Sequence, residues 1–185
     1  MLQFKSREGG IWGFGQKRTI PEEGSRWAVN PMTFQWGYVC FGADKKAPPI
    51  GEKLVSIGEP KPDFAKLPDT GFPWQEQWAV EMKCLDGADA GVEVVLKANT
   101  YGGIQAIVML LGLVKDRLNS GQHDDKIAPI VLLERDFYQH AEHGKIWIPV
   151  LNTVDWMPLD GPAPTPAPAP EPTPPADQPR RRRVA

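Results

Sequence analysis

Trp74-Gln75-Glu76-Gln77-Trp78-Ala79-Val80-Glu81-Met82-Lys83-Cys84-Leu85 alternates in character along its length. Trp74, Trp78, Val80, Met82 and Cys84 fall on one side, Gln75, Gln77, Glu81 and Lys83 on the other. This is the period-two pattern of a strand with one buried and one solvated face. The turn Asp86-Gly87-Ala88-Asp89-Ala90-Gly91 leads into Val92-Glu93-Val94-Val95-Leu96-Lys97, which predicts a hairpin partner for the first strand. The period then changes. Ile104, Ile107, Val108, Leu111, Val114 and Leu118 recur at three- and four-residue spacing, with Asn99 or Thr100 as N-cap, Lys115 and Arg117 near the C-terminal end, and Gly121 closing the helix.

Working outward, Phe34-Gln35-Trp36-Gly37-Tyr38-Val39-Cys40-Phe41 is aromatic and β-branched and reads as a strand, followed by a short one at Lys53 to Ile57 and an irregular, proline-rich connection up to Pro73. Beyond the helix, Ile127 to Leu133 and Lys145 to Trp156 predict two further strands, joined by a connection from Asp136 to Gly144. The coarse order is three main strands, a helix and two strands. A mainly β fold with one helix follows, and the order matches the OB-like five-stranded Greek-key barrel, in which a helix links strands 3 and 4. An α+β sandwich is the alternative.

The ends differ from this body. Residues 1–33 are rich in glycine and charge and read as a loop-rich N-terminal arm packed on the body at 34–160. The run Gly9-Gly10-Ile11-Trp12-Gly13-Phe14-Gly15 superficially resembles a phosphate-cradling loop, but no apolar strand precedes it and no Gly-Lys-Ser/Thr follows. Residues 161–185 form a Pro/Ala-rich tail ending in Arg180, Arg181, Arg182 and Arg183. Its prolines favour extended polyproline II and cannot build a core, so a disordered spacer reaching roughly 50 Å at about 3.1 Å per residue is expected.

The 185 residues carry a formal net charge of −2. Residues 161–185 hold four arginines against Glu171 and Asp177, a surplus of two positive charges, which leaves −4 on the rest. Bulk charge therefore excludes a strongly basic nucleic-acid binder, while local basic patches remain open. Cys40 and Cys84 lie in apolar strand-like runs and read as buried free thiols. The longest apolar run, Ile104 to Val114, is too short for a bilayer span, and the first residues lack the apolar core of a secretory signal. Residence in the cytoplasm of a bacterial host cell is the expectation.

Catalytic and cofactor chemistry finds little support. His140 and His143 flank Glu142, with Asp136 nearby, but the spacing fits neither a zinc finger nor a zincin, and a turn role is the better reading. The acidic pairs Asp124-Asp125, Glu22-Glu23 and Asp86/Asp89 lack the oxygen-ligand series of a calcium loop. Ser6, Ser25, Ser56 and Ser120 lack a nucleophile-elbow context. No enzyme, metal or cofactor is expected.

Trp36-Gly37-Tyr38, Pro73-Trp74-Gln75-Glu76-Gln77, Gly102-Gly103, and Tyr138-Gln139-His140 with Gly144-Lys145-Ile146 and Pro149 together resemble segments of small bacteriophage and prophage proteins. The resemblance covers about Trp27 to Trp156. It implies work on DNA in replication or recombination and carries over no functional residue.

Single-strand binding needs aromatic rings for bases and cations for phosphates. Reading Ile146, Ile148 and Val150 as inward places Lys145 and Trp147 on the opposite face. The same alternation turns Lys83, Lys97, Gln75 and Gln77 outward. With Trp36 and Tyr38 these residues make a candidate groove for single-stranded DNA, or RNA, and Arg180 to Arg183 add a mobile cationic hook. Glu81 and Glu93 on the same outer face oppose it. The rival function is a non-enzymatic protein-interaction or virion-associated module that recruits a partner through the proline-rich tail.

Overall fold

The computed structural model describes residues 1–44, 47–121 and 125–159. Along the described chain the elements are β1 (Leu2–Lys5), β2 (Ile11–Phe14), β3 (Arg26–Val29), β4 (Gln35–Cys40), β5 (Gly51–Ser56), β6 (Trp74–Cys84), β7 (Glu93–Ala98), α1 (Tyr101–Ser120), β8 (Ala128–His140) and β9 (Gly144–Met157). The fold is mainly β with one helix, in one curled, half-barrel sheet ordered β2-β1-β7-β6-β3-β8-β9, with β4 and β5 branching from β6.

The branch has a local cause. One edge of β6 pairs with β7, from Trp78↔Ala98 to Lys83↔Glu93. Its other edge carries β3 and β4 end to end, with Trp27↔Cys84 and Val29↔Met82, then Gln35↔Ala79 and Cys40↔Trp74. Between them Asn30 caps a 3-10 turn at Pro31–Thr33, its side chain accepting from the Met32 amide. The Thr33 hydroxyl accepts from the Glu81 amide at 3.0 Å, replacing a ladder acceptor that the break removes. After the break β4 takes β5 as its partner while β3 takes β8.

Pairing parity defines two faces. The inner face carries Trp27, Val29, Trp78, Val80, Met82, Cys84, Val94, Leu96 and Val131, all in the main core. Helix α1 adds Ile107, Leu111 and Val114 to that core, as its periodicity predicts, and Leu110, which is not among the expected positions; Ile104 and Val108 pack against it partly buried, while Leu118 is exposed. Thr100 is the N-cap, accepting from the Gly103 amide, and Gly121 ends the helix at φ 65°. Gly103 is needed for close approach, since an added methyl would lie 2.9 Å from the Ala98 Cβ. Cys40 and Cys84 are free and buried, and burial pushes the Cys84 thiol above its ordinary value.

Three expectations need correction. Residues 1–33 are not only loops: β1 and β2 form a hairpin whose Leu2, Phe4 and Trp12 belong to the main core, and β3 lies in the middle of the sheet. Among the described residues the strands number nine rather than the five of the expected barrel, because that segment supplies three and the short strand expected near Lys53, β5, forms as well. Residues 136–144 are strand and tight turn rather than a connecting loop, with β8 and β9 paired from Ala128↔Met157 out to His140↔Gly144. The His140 Nδ1 accepts from the Glu142 and His143 amides, and the two imidazoles stack at 4.6 Å, so both histidines shape the turn. Among the described residues no helix is long and apolar enough to cross a membrane. The tail from residue 160 onward, with Arg180, Arg181, Arg182 and Arg183, lies outside the described residues.

Candidate nucleic-acid interface

The β8–β9 hairpin outruns its support. Pairing with β3 ends at Leu132, and Glu134 through Gln139 are exposed. Directly opposed residues of an antiparallel pair share a face, so the pairs Arg135↔Pro149, Phe137↔Trp147 and Gln139↔Lys145 continue the row begun by Val131 and Leu133. The inner face of the core thus runs out along the arm and becomes an aromatic and cationic surface.

Phe137 and Trp147 meet edge to face at 5.4 Å. The Lys145 Nζ lies 3.7 Å from the Phe137 ring centroid and 3.9 Å from that of Trp147. The Arg135 guanidinium sits 4.8 Å from the Trp147 centroid and donates to the Gly9 carbonyl at 2.6 Å. Trp12 Nε1 donates to the Glu134 carbonyl at 2.8 Å, a second tie between the arm and the β1–β2 hairpin. Gly10, at φ 70°, packs on Trp147 so closely that a methyl there would stand 2.8 Å from its Cβ and Cγ. The glycine run is therefore a seat for Trp147, and it also sets the exposed Arg7 in the turn that Arg135 grips.

Lys145 and Trp147 do share a face, but the inward and outward assignment of this strand is reversed. Pro149 and Leu151 are buried on the Trp147 side, and Ile146, Ile148 and Val150 take the other parity. The physical reason is a bulge: Val131 pairs with Thr153 and Ile130 with Asp155, leaving Val154 as an extra residue. The bulge lets Leu151 and Trp156 both join the main core, so no single alternation fits the whole strand.

The other candidates are not brought to this surface. Trp36 and Tyr38 lie on the Trp78 face of β4, whereas Lys83 and Lys97 lie on the opposite face of the sheet. Lys83 pairs with Glu93 at 3.0 Å and Lys97 with Glu52 at 2.7 Å. Gln77, expected outward and solvated, is only 4 % exposed and donates to Glu52 at 2.6 Å. The outer face also holds an open cleft of about 940 Å³ between Asn30, Glu81, Lys83, Glu93 and Leu159, whose carboxylates disfavour phosphate. The proposed groove joining β4, β6, β7 and β9 does not form.

Trp36 and Tyr38 belong instead to a second lysine–aromatic cluster. Lys61, from the connection after β5, lies 5.8 Å from the Trp36 centroid and 5.0 Å from that of Tyr38. Glu76 holds its ammonium at 2.7 Å. Trp36 also packs on Trp78 at 5.7 Å and donates to the Glu59 carbonyl. By contrast, among the described residues no carboxylate lies within ion-pair distance of Lys145 or Arg135. No group of three or more His, Cys, Asp or Glu among the described residues is placed to hold a metal ion.

Arg135 and Phe137 are the site residues that the pattern along the sequence did not single out, and the Gly9-Gly10 turn, weighed there only as a phosphate loop, is a seat for Trp147. Comparison of the chain with family models, with curated proteins and with solved structures finds no match. The site and its sheet therefore define the class by geometry alone: a curled β-sheet protein with an aromatic, cationic arm.

Proposed function

We propose that this chain binds single-stranded nucleic acid without sequence preference, as a non-enzymatic factor in DNA replication or recombination, and that the inner face of the distal β8–β9 hairpin is the reader. The sheet with its helix after β7 is then an OB-like barrel enlarged by the N-terminal strands. One contrast carries this reading: among the described residues Lys145 and Arg135 flank Trp147 with no carboxylate to neutralise them, whereas Lys61, Lys83 and Lys97 each have a glutamate. A single strand offers unstacked base faces beside phosphates, and each base–aromatic stack contributes about 1–3 kcal/mol whatever the base. A duplex hides those faces. With only two cations on the arm, its own salt dependence is shallow, a slope of roughly −1.4 at about 0.7 per contact.

The test is anisotropy of labelled oligo-dT with the full chain, a duplex of equal length as control, and a salt titration. The reading expects preference for the single strand, loss of that preference in Trp147→Ala, and its retention when Arg180, Arg181, Arg182 and Arg183 are all replaced by alanine. Equal affinity for duplex, or a preference that survives Trp147→Ala, overturns it.

A further inference from the structure

We infer that Lys145 is a displaceable cap on the stacking site, giving up its ring contacts to an incoming nucleobase and taking that nucleotide's phosphate instead; this rests on the reading of the arm as a single-strand site. The ammonium stands 3.7 Å and 3.9 Å from the two ring centroids, in the space that a base stacked on either ring would need. Cap and base cannot both occupy it. An exposed ammonium–ring contact is worth less than a base–aromatic stack, so the exchange runs toward the base. Lys145 is exposed, on a flexible four-carbon stem, and among the described residues no carboxylate waits to trap it when it leaves. Arg135 does not move with it, because the Gly9 carbonyl holds its guanidinium at 2.6 Å. Lys61 shows what prevents such an exchange, since its ammonium is tied to Glu76 at 2.7 Å.

The consequence is selectivity for strands that carry bases over polyanions that do not. A bare phosphate chain can draw Lys145 away only by leaving both rings uncovered. A base-bearing strand replaces the lost contact as it forms the new one.

The experiment uses the full chain with oligo-dT and with an abasic tetrahydrofuran oligomer of equal length. In the free protein the two rings should shift the Lys145 Hε protons upfield, and Lys145→Arg identifies the signal by its loss. Oligo-dT is expected to move that resonance downfield toward the position of a free lysine, while the abasic oligomer leaves it in place. In a salt titration Lys145→Met should lower the slope for oligo-dT by about 0.7 and leave the abasic slope unchanged. An Hε signal that stays upfield when oligo-dT binds overturns the exchange alone. Equal loss of slope with both oligomers also overturns it, making Lys145 an ordinary phosphate contact. Failure of the chain to prefer oligo-dT over duplex removes the stacking site itself, and the exchange with it.

Discussion

Among the described residues two lysines lie over pairs of aromatic rings, and they do different things. Lys61 comes from the proline-flanked stretch Pro60-Lys61-Pro62, covers Trp36 and Tyr38, and is locked by Glu76, which Trp78 also engages through its indole N–H at 2.9 Å. Tyr38 is covered further by Phe64 at 5.3 Å. Lys145 covers Phe137 and Trp147 from the same strand as the tryptophan, on an arm that extends past the pairing with β3, and among the described residues no acid fixes it. Ring–cation geometry alone therefore does not mark a binding surface. The position of the nearest carboxylate decides whether the lysine is part of the fold or available to a ligand.

The largest effect expected from breaking this contrast is on stability at the Lys61 end. Trp36→Ala removes the contact to Trp78, the hydrogen bond to the Glu59 carbonyl and the surface on which Lys61 rests. The ring is only partly buried, so the cost should fall at the low end of the range for large-to-small substitution, about 3 kcal/mol. Urea unfolding of the full chain measures it. Oligo-dT affinity under conditions where the variant is folded should be unchanged, and a matching loss of affinity would return Trp36 to the binding surface.

At the other cluster the order reverses. Trp147→Ala should weaken oligo-dT binding by about 1–3 kcal/mol, roughly 5- to 150-fold, and shift the unfolding midpoint less than Trp36→Ala does. Gly10→Ala tests the seat of Trp147 without touching the ring. The new methyl meets the Trp147 side chain at 2.8 Å, on a backbone at φ 70° that disfavours any side chain, so part of the same affinity should be lost as the indole is displaced. Full affinity in Gly10→Ala would show that the placement of Trp147 by this turn is unimportant.

How far the sequence reveals all this depends on which forces shape each element. Trp74–Cys84, Glu93–Ala98 and the helix are legible because burial imposes their periods, and Thr100 and Gly121 mark the helix ends by local chemistry. The first two strands are not, because four residues are too few to show a period and β1 enters the sheet through one non-local parallel pairing, Leu2↔Leu96. The outer half of β8 is hidden for a different reason. Glu134 to Gln139 are exposed, so no apolar alternation records a strand that cross-strand hydrogen bonds maintain. Arg135 and Phe137 disappear with it. Lys83 and Lys97 do face outward as their alternation suggests, yet the glutamates that neutralise them come from other strands, Glu93 from the adjacent β7 and Glu52 from β5, 45 residues away. Pattern gives the direction of a side chain; only the fold supplies its partner.

A smaller effect should convert one cluster toward the other. Glu76→Gln removes the charge that holds Lys61 but keeps an acceptor for the Trp78 indole. An exposed ion pair of this kind contributes on the order of 1 kcal/mol or less, so the fold should survive with a slightly lower urea midpoint. The freed lysine over Trp36 and Tyr38 should add a weak, salt-sensitive component to oligo-dT binding. A variant that binds no better at low salt would mean that coverage by Phe64 and the 58–73 connection, rather than the carboxylate, keeps these rings from ligand.

The smallest expected difference between the two regions is their response to acid. Burial pushes the Glu52 carboxyl up, but hydrogen bonds from Lys97 and Gln77, together with the Lys97 charge, outweigh it and hold the group below its ordinary value of 4.5. Glu76 is likewise held down, with burial opposed by hydrogen bonds from Lys61 and Trp78 and by the Lys61 charge. A carboxyl lowered in the folded state binds fewer protons than its unfolded counterpart, so its stabilisation is complete above the ordinary value and declines as pH falls through the folded one. The stability gap between the natural chain and Glu52→Gln should therefore be present at neutral pH and close progressively below about 4.5. On the arm, Lys145 and Arg135 have no carboxylate partner among the described residues, so protonating acids removes none of their contacts. The Trp147→Ala stability difference should accordingly stay flat through the same window. A Glu52→Gln gap that persists unchanged under acid would mean that Lys97 and Gln77 hold the neutral carboxyl as firmly as the charged one, and the electrostatic account of that end would fail.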